Sequence, residues 1–356
     1  MHLDPPSRAN GEPTRWTLLA IGPVAAAATL WIGNTSLFSD YPADSTFRLI
    51  AHRGQHQVFD RENLRSDTCT ASRILAPTHP FLENTIQSMQ AAFAAGADVV
   101  ELDVHLTPDK QFAVFHDWTL ECRTNATGVT EETPMGLLKT LDVGYGYTAD
   151  GGQTFPFRGH GIGMMPTLPE VFEALPEERF LVNFKSRRAE EGEALAELLR
   201  GHPSFREQTF AVYGGHEPTA AAKAGVPGLP GFSASDTKTC LLDYLKLGWI
   251  GHVPQACRNT LVMVPANYAF LLWGWPQRFY QRMRSAGSDV ILMGPYRAGD
   301  VGTSGIDQPA DWDLVPQGFP GFIWTNRIEL ASEQLTRRGF CELPSPPRAC
   351  TDVTSR

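Results

Sequence analysis

Two carboxylates are set into an apolar run, Glu101 and Asp103 in Val-Val-Glu-Leu-Asp-Val, residues 99–104. Side chains two apart on a strand point to one face, so these acids lie side by side. Neighbouring buried carboxylates repel and are costly to desolvate, so something positive must meet them. Polar residues end other apolar runs too. Residues 48–52 lead into His52, Arg53 and Gly54, and residues 112–116 end in His116 with Asp117 after it. Residues 180–185 carry Asn183 and Lys185 two apart, and residues 321–326 end in Trp324, Thr325 and Asn326. Core packing does not call for ionisable residues at successive strand ends. Carboxylate oxygens without thiolates favour a hard cation, Mg2+ or Ca2+. Arg53 and Lys185 suit phosphate oxygens. Two histidines, with ordinary pKa values near ~6.5, can serve as one acid and one base near neutral pH. Cation, acid–base pair and anion clamp together fit cleavage of a phosphate ester.

Such residues need elements that bring them to one place. The runs at 48–52, 99–104, 112–116, 180–185, 209–213, 230–235, 289–294 and 321–326 read as strands, with 260–266 as a possible extra one. Helical patterns lie between several of them, at 85–96, 167–175, 190–200 and 276–287. In the first, Ile86, Met89, Ala92 and Phe93 recur at helical spacing. Eight strands with intervening helices predict a TIM-type (β/α)8 barrel, although a doubly wound sheet shows the same alternation. In a parallel barrel the strand C-termini converge on one mouth, where active sites lie. Long polar loops at 55–82, 144–165 and 294–318 are further candidates for function.

Taken in order, the motifs Ala51-His52-Arg53-Gly54, Glu83-Asn84-Thr85, Glu101-Leu102-Asp103-Val104 and Phe115-His116-Asp117 resemble the glycerophosphodiester phosphodiesterase family. The segment 165–175 is similar to a further box of that family, and the resemblance is good over about 47–185. It implies a TIM-type barrel with a divalent cation, Mg2+ or Ca2+, held by Glu83, Glu101 and Asp103. It implies His52 and His116 as the acid–base pair, with Arg53 on phosphate and Lys185 near it. Asn183 and Trp324 complete the candidate substrate contacts. Family members show a glutamate two before the lysine, where this chain has Asn183, so weaker metal binding is expected. The implied reaction is hydrolysis of glycerophosphodiesters to glycerol 3-phosphate and an alcohol. A lysophospholipase D-type enzyme on the same barrel and an inactive binding module are the alternatives.

A chain of 356 residues that is 42% hydrophobic and 19% charged can build one large barrel. Its net charge of −9 argues against a nucleic-acid partner and leaves a small-molecule phosphodiester open. Residues 16–38 hold no charged side chain, and Arg8 and Arg15 precede them. That pattern predicts an anchor or signal segment, preferably an uncleaved anchor, with the body exported to a periplasmic or other extracytoplasmic space. Six cysteines without a Cys-x-x-Cys pair fit disulfides in such a compartment. The expected pairs are Cys69–Cys122, Cys240–Cys257 and Cys341–Cys350, the first tying a lid to the loop after the third run. The predicted division is 1–45 tail and anchor, 46–343 barrel, and 344–356 C-terminal tail. The aromatic stretch 268–280 admits two readings, a lipid contact or a buried helix and loop.

Overall fold

The computed structural model describes residues 26–37, 39–41, 47–65, 67–297 and 304–337. The strands are β1 (Arg48–His52), β2 (Val99–Leu106), β3 (Phe112–Val114), β4 (Phe180–Phe184), β5 (Thr209–Gly214), β6 (Gly231–Ser233), β7 (Leu261–Pro265), β8 (Asp289–Met293) and β9 (Phe322–Thr325). Eight of them run parallel in the order β6-β5-β4-β2-β1-β9-β8-β7, a nearly closed barrel of TIM type. No ladder joins the two ends, β6 and β7, among the described residues. A side-chain bond from Thr260 Oγ1 to the Gly231 carbonyl, 3.2 Å, and the Cys240–Cys257 disulfide bridge that seam instead.

One strand departs from expectation. β3 pairs antiparallel with the far end of β2 and lies off the barrel. Its place in the count of eight is taken by β7, expected only as a possible extra strand. The reason is the link between β2 and β3: residues 107–111 are too few for a parallel crossover, which takes a dozen or more.

The helices are α1 (Ile86–Ala94), α2 (Met135–Leu138), α3 (Leu168–Ala174), α4 (Ala189–Gly201), α5 (Pro203–Gln208), α6 (His216–Gly225), α7 (Ala234–Leu247), α8 (Gln277–Ser285) and α9 (Ile328–Arg337). Side chains start several of them. Thr85 accepts from the Ser88 N–H, and Thr167 with Glu170 and Ser233 with Asp236 form reciprocal capping boxes. Three apolar cores result. One fills the space between strands and helices. A second fills the lumen with Ile50, Val99, Leu181, Phe322 and Trp324. The third, including Ile74, Leu120, Leu138, Tyr147 and Met165, packs the long excursions after β1 and β3 into a cap beside the mouth. The Cys69–Cys122 disulfide ties those excursions together as expected. Cys341 and Cys350 lie outside the described residues.

Residues 26–34 are helical, and no helix among the described residues is long and apolar enough to cross a membrane. Residues 16–25 and Phe38 of the expected anchor lie outside the described residues.

Candidate active site

Strand alternation builds the site. Inward-facing rows turn from apolar to polar towards the C-terminal end: Ile50 then His52, Val99 then Glu101 and Asp103, Leu181 then Asn183, Phe322 then Trp324 and Asn326. Register places His52 opposite Glu101, and Asp103 opposite Asn183, which in turn faces Tyr213. The polar ends thus share one level at the barrel mouth.

Arg53 stands at the centre of the charges. Its φ is 58°, a conformation costly for a side chain that large. Two bonds hold it there: its N–H meets the Glu101 carbonyl at 2.9 Å and Glu101 Oε2 at 3.1 Å. Gly54 follows at φ 78°, and a Cβ there would lie 2.6–2.9 Å from Ser88 of α1, so strand and helix can approach only at glycine. The guanidinium pairs with Glu83 Oε1 at 3.1 Å and Asp103 Oδ2 at 3.2 Å. Asn84, also left-handed at φ 59°, donates to Asp103 Oδ2 at 2.9 Å and accepts its N–H at 3.0 Å. Asn183 Nδ2 reaches Asp103 Oδ1 at 2.8 Å, and Lys185 Nζ stands 3.4 Å from the same oxygen. Asp103 is buried, yet Lys185 and Arg53 hold its carboxyl well below the usual range. Glu101 goes the other way: burial, then the neighbouring Asp103, pushes it up to about 8. Tyr213 donates to Glu101 Oε1 at 2.6 Å.

The two histidines are held differently. His52 Nδ1 lies 2.6 Å from Asn326 Oδ1, while Asn326 Nδ2 donates to Asp307 Oδ2 at 2.7 Å and the Asn326 N–H to Asp307 Oδ1 at 2.6 Å. The carboxylate fixes the amide so that its oxygen faces His52. Nδ1 therefore carries the proton, and Nε2 presents a lone pair 3.8 Å from Glu101 Oε2. Burial lowers the pKa of His52. His116 Nδ1 meets Asp117 Oδ1 at 2.7 Å, so its Nε2 is the free nitrogen. Burial, then Arg53 and Lys185, brings His116 down to about 4.

Arg123, which sequence reading did not single out, underlies the second histidine. Its guanidinium is buried and pairs with Asp117, with Glu83 Oε2 at 3.0 Å and with Thr70 Oγ1 at 2.6 Å. Tyr213 and Asp307 were also missed. The strand-end rule that found His52 would have found Tyr213; Arg123 and Asp307 come from loops and give no such signal. Trp324, expected to contact substrate, is only 1% exposed and packs against the His52 ring at a centroid distance of 4.9 Å. Its Nε1 hydrogen has no bonding partner among the described residues.

The three acids expected to hold a cation are not alike. Glu101 and Asp103 offer hard oxygen donors of the kind that suit a divalent cation. Glu83 instead has both oxygens engaged by arginines. Among the described residues no group of three His, Cys, Asp or Glu is arranged to hold a metal ion. Beside the mouth a cavity of about 890 Å³ is lined by residues including Arg61, Arg65 and Asp307.

Fold and mouth together define a TIM-type barrel carrying buried histidines, acids and cations at the strand C-termini. The model of the glycerophosphoryl diester phosphodiesterase family matches residues 65–198 of the chain. A glycerophosphodiester phosphodiesterase of Caldanaerobacter subterraneus subsp. tengcongensis is 40% identical over 103 residues, 29% of this chain and 39% of that protein. A Homo sapiens lysophospholipase D GDPD1 is 33% identical over 141 residues, 37% of this chain and 40% of its own. The chain thus matches well under two thirds of the length of these relatives. The glycerophosphoryl diester phosphodiesterase domain of a Mycobacterium tuberculosis protein shares the fold with a TM-score of 0.58 at 19% identity, covering 82% of this chain and 99% of that one. A glycerophosphoryl diester phosphodiesterase from Parabacteroides distasonis does so at 0.54 and 18%, covering 87% and 92%.

Proposed function

We propose that the protein hydrolyses glycerophosphodiesters, releasing glycerol 3-phosphate and an alcohol. The carrying observation is that two histidines, each with Nδ1 tied to a fixed partner, present Nε2 at a mouth that also holds Arg53 and Lys185. Arg53 and Lys185 take the anionic phosphate oxygens. His52 is the base in this reading. Its Nε2 lone pair takes the proton of the attacking oxygen, from water directly or from the substrate's own 2-hydroxyl, in which case the cyclic phosphate that forms is opened by water to give glycerol 3-phosphate. The new phosphorus–oxygen bond forms as the bond to the alcohol breaks. His116 gives the departing oxygen its proton, and Asp117 stabilises the imidazolium that must first form. The phosphodiester's charge offsets Arg53 and Lys185, two of the influences that lower His116 in the free protein. A divalent cation, Mg2+ or Ca2+, would be held by Glu101 and Asp103 and would stabilise the charge that develops on phosphate. Glu83 could join it only by giving up Arg53, and the amide oxygen of Asn183 is the other candidate ligand.

The alcohol has room in the cavity beside Asp307. A lysophospholipid is the second reading, favoured by the likeness to lysophospholipase D. The two disulfides support an extracytoplasmic protein, and residues 16–38 would anchor it. The test is turnover of glycerophosphocholine, glycerophosphoethanolamine and a lysophospholipid, each with calcium, magnesium or chelator. Metal-dependent release of the alcohol, abolished by His52→Ala, is the expected result. Turnover that survives His52→Ala, or none with any of these esters, would sink the reading.

A further inference from the structure

In a chain with 39 acidic residues and a net charge of −9, two stretches hold none: residues 13–39 and residues 244–288. The second carries five basic residues, Lys246, Arg258, Arg278, Arg282 and Arg284. The fold brings the two together. Arg282 donates to the Gly33 carbonyl at 2.9 Å, to Asn34 Oδ1 at 3.1 Å and to the Gly248 carbonyl at 2.9 Å. Asn34 donates to the Trp249 carbonyl at 2.7 Å, and Ser36 to the Gly274 carbonyl at 2.8 Å. Trp273 Nε1 donates to the Leu245 carbonyl at 2.9 Å, binding the loop after β7 to the end of α7.

The large apolar side chains around this clamp face outward. Trp31, Ile32, Trp249, Ile250 and Trp273 are exposed, and Phe270 is 73% exposed. Phe270 follows shortly after the C-terminal end of β7, so the apolar flank runs up the side of the barrel to the rim of the mouth. Residues 26–33 are exposed throughout, although they include Leu30, Trp31 and Ile32 and no charge. A helix that is apolar on every side cannot be covered by one flat protein face, but a lipid phase covers it fully. Tryptophan and tyrosine favour the membrane–water boundary; Lys246 and Arg284 pair with Asp243 and Asp289 at the two edges of the stretch, and the exposed Arg258 between them suits an anionic headgroup.

We propose that the flank formed by the end of α7, residues 248–250 and residues 266–273 is a docking surface for an anionic phospholipid bilayer, continuous with the uncharged N-terminal run. The barrel then lies against the membrane on its β6–β7–β8 side, with one edge of the mouth at headgroup level. This does not depend on the reaction proposed above, and its test involves no turnover.

The full chain is bound to vesicles of phosphatidylcholine and phosphatidylglycerol, with or without brominated acyl chains. Tryptophan emission is compared for the natural protein, a Trp249→Phe/Trp273→Phe variant and Trp118→Phe, a control on the opposite side of the barrel. Near-ultraviolet circular dichroism checks that each is folded. The expected result is that the double variant loses about two thirds of the brominated-lipid quenching, as follows if two of the three exposed indoles on this flank, Trp31, Trp249 and Trp273, are gone, while the control keeps it. Equal quenching in the double variant and the natural protein would overturn the proposal. So would failure of the folded chain to associate with vesicles. Light scattering that shows a dimer shielding Trp249 and Trp273 from acrylamide without lipid would replace the bilayer with a second copy.

Discussion

Arg123→Met should be among the most damaging single substitutions away from the barrel core. The guanidinium's side chain is 2% exposed and sits between Asp117 and Glu83, whose side chains are 15% and 6% exposed. Burial alone would push Glu83 up, but Arg123 and Arg53 bring it down to about 2 from an ordinary 4.5. At about 1.4 kcal/mol per pKa unit, that difference represents roughly 3 kcal/mol of stabilisation of the charged form. Asp117 is held down in the same way, by Arg123 and by His116. Methionine fills the space and leaves both carboxylates without their shared partner. Breaking a buried pair by removing one member costs ~3–5 kcal/mol, so a loss of about 4 kcal/mol is expected at pH 7. The sign with pH follows from the depressed values. The stabilisation is complete above the ordinary carboxylate range and is lost as pH falls through the folded values. The deficit of the variant should therefore be full at pH 7 and smaller near pH 4, where the stranded acids take up protons. Urea unfolding followed by circular dichroism at both pH values measures it. Adding Glu83→Gln and Asp117→Asn should recover more than half of the loss. A deficit under about 1 kcal/mol, or one that does not change with pH, would refute the idea that this arginine neutralises two buried acids.

Asn326→Ala frees His52 Nδ1 and should lower kcat by ~10²-fold with little change in KM, since it removes the group that sets the tautomer; steady-state kinetics would count against it if kcat were unchanged. Asn183→Glu restores a carboxylate beside Asp103 and should tighten Ca2+ or Mg2+ binding by about tenfold in titration calorimetry; equal or weaker affinity would remove Asn183 from the metal site. Cys69→Ser/Cys122→Ser opens a closure of 53 residues and should cost about 4 kcal/mol by the chain-entropy account. Urea midpoints unchanged by that double substitution would mean the cap holds without its staple.

Much of the mouth was legible because strand alternation is a strict rule. Once residues 99–104 are a strand, Glu101 and Asp103 must share a face, and the other strand-end residues follow by the same argument. The third run shows where the rule stops. Residues 112–116 have a strand's composition, and nothing within them says which neighbour they pair with. That information lies in the five residues before them, whose shortness forces an antiparallel return. Arg123 was invisible for a different reason. It reaches Glu83 across 40 positions, from a loop whose path is set by the packing of the cap and by the Cys69–Cys122 bond. Glu83 was readable as an acid near the site, but its engagement by two arginines was not, and that engagement sets what it can bind.

The barrel has a zip and a clasp. Seven of its eight joints are backbone ladders that open and reclose residue by residue, but the joint between β6 and β7 is held chiefly by one covalent bond, from Cys240 on α7 to Cys257 ahead of β7. A reductant should therefore act on one place first. The amides beside that joint would exchange their hydrogens faster on reduction, while those of β1, β2 and β4 stay protected. Compartment chemistry would then control how tightly the cylinder is shut, and in a reducing space that seam would rest on the Thr260–Gly231 bond and on side-chain packing alone.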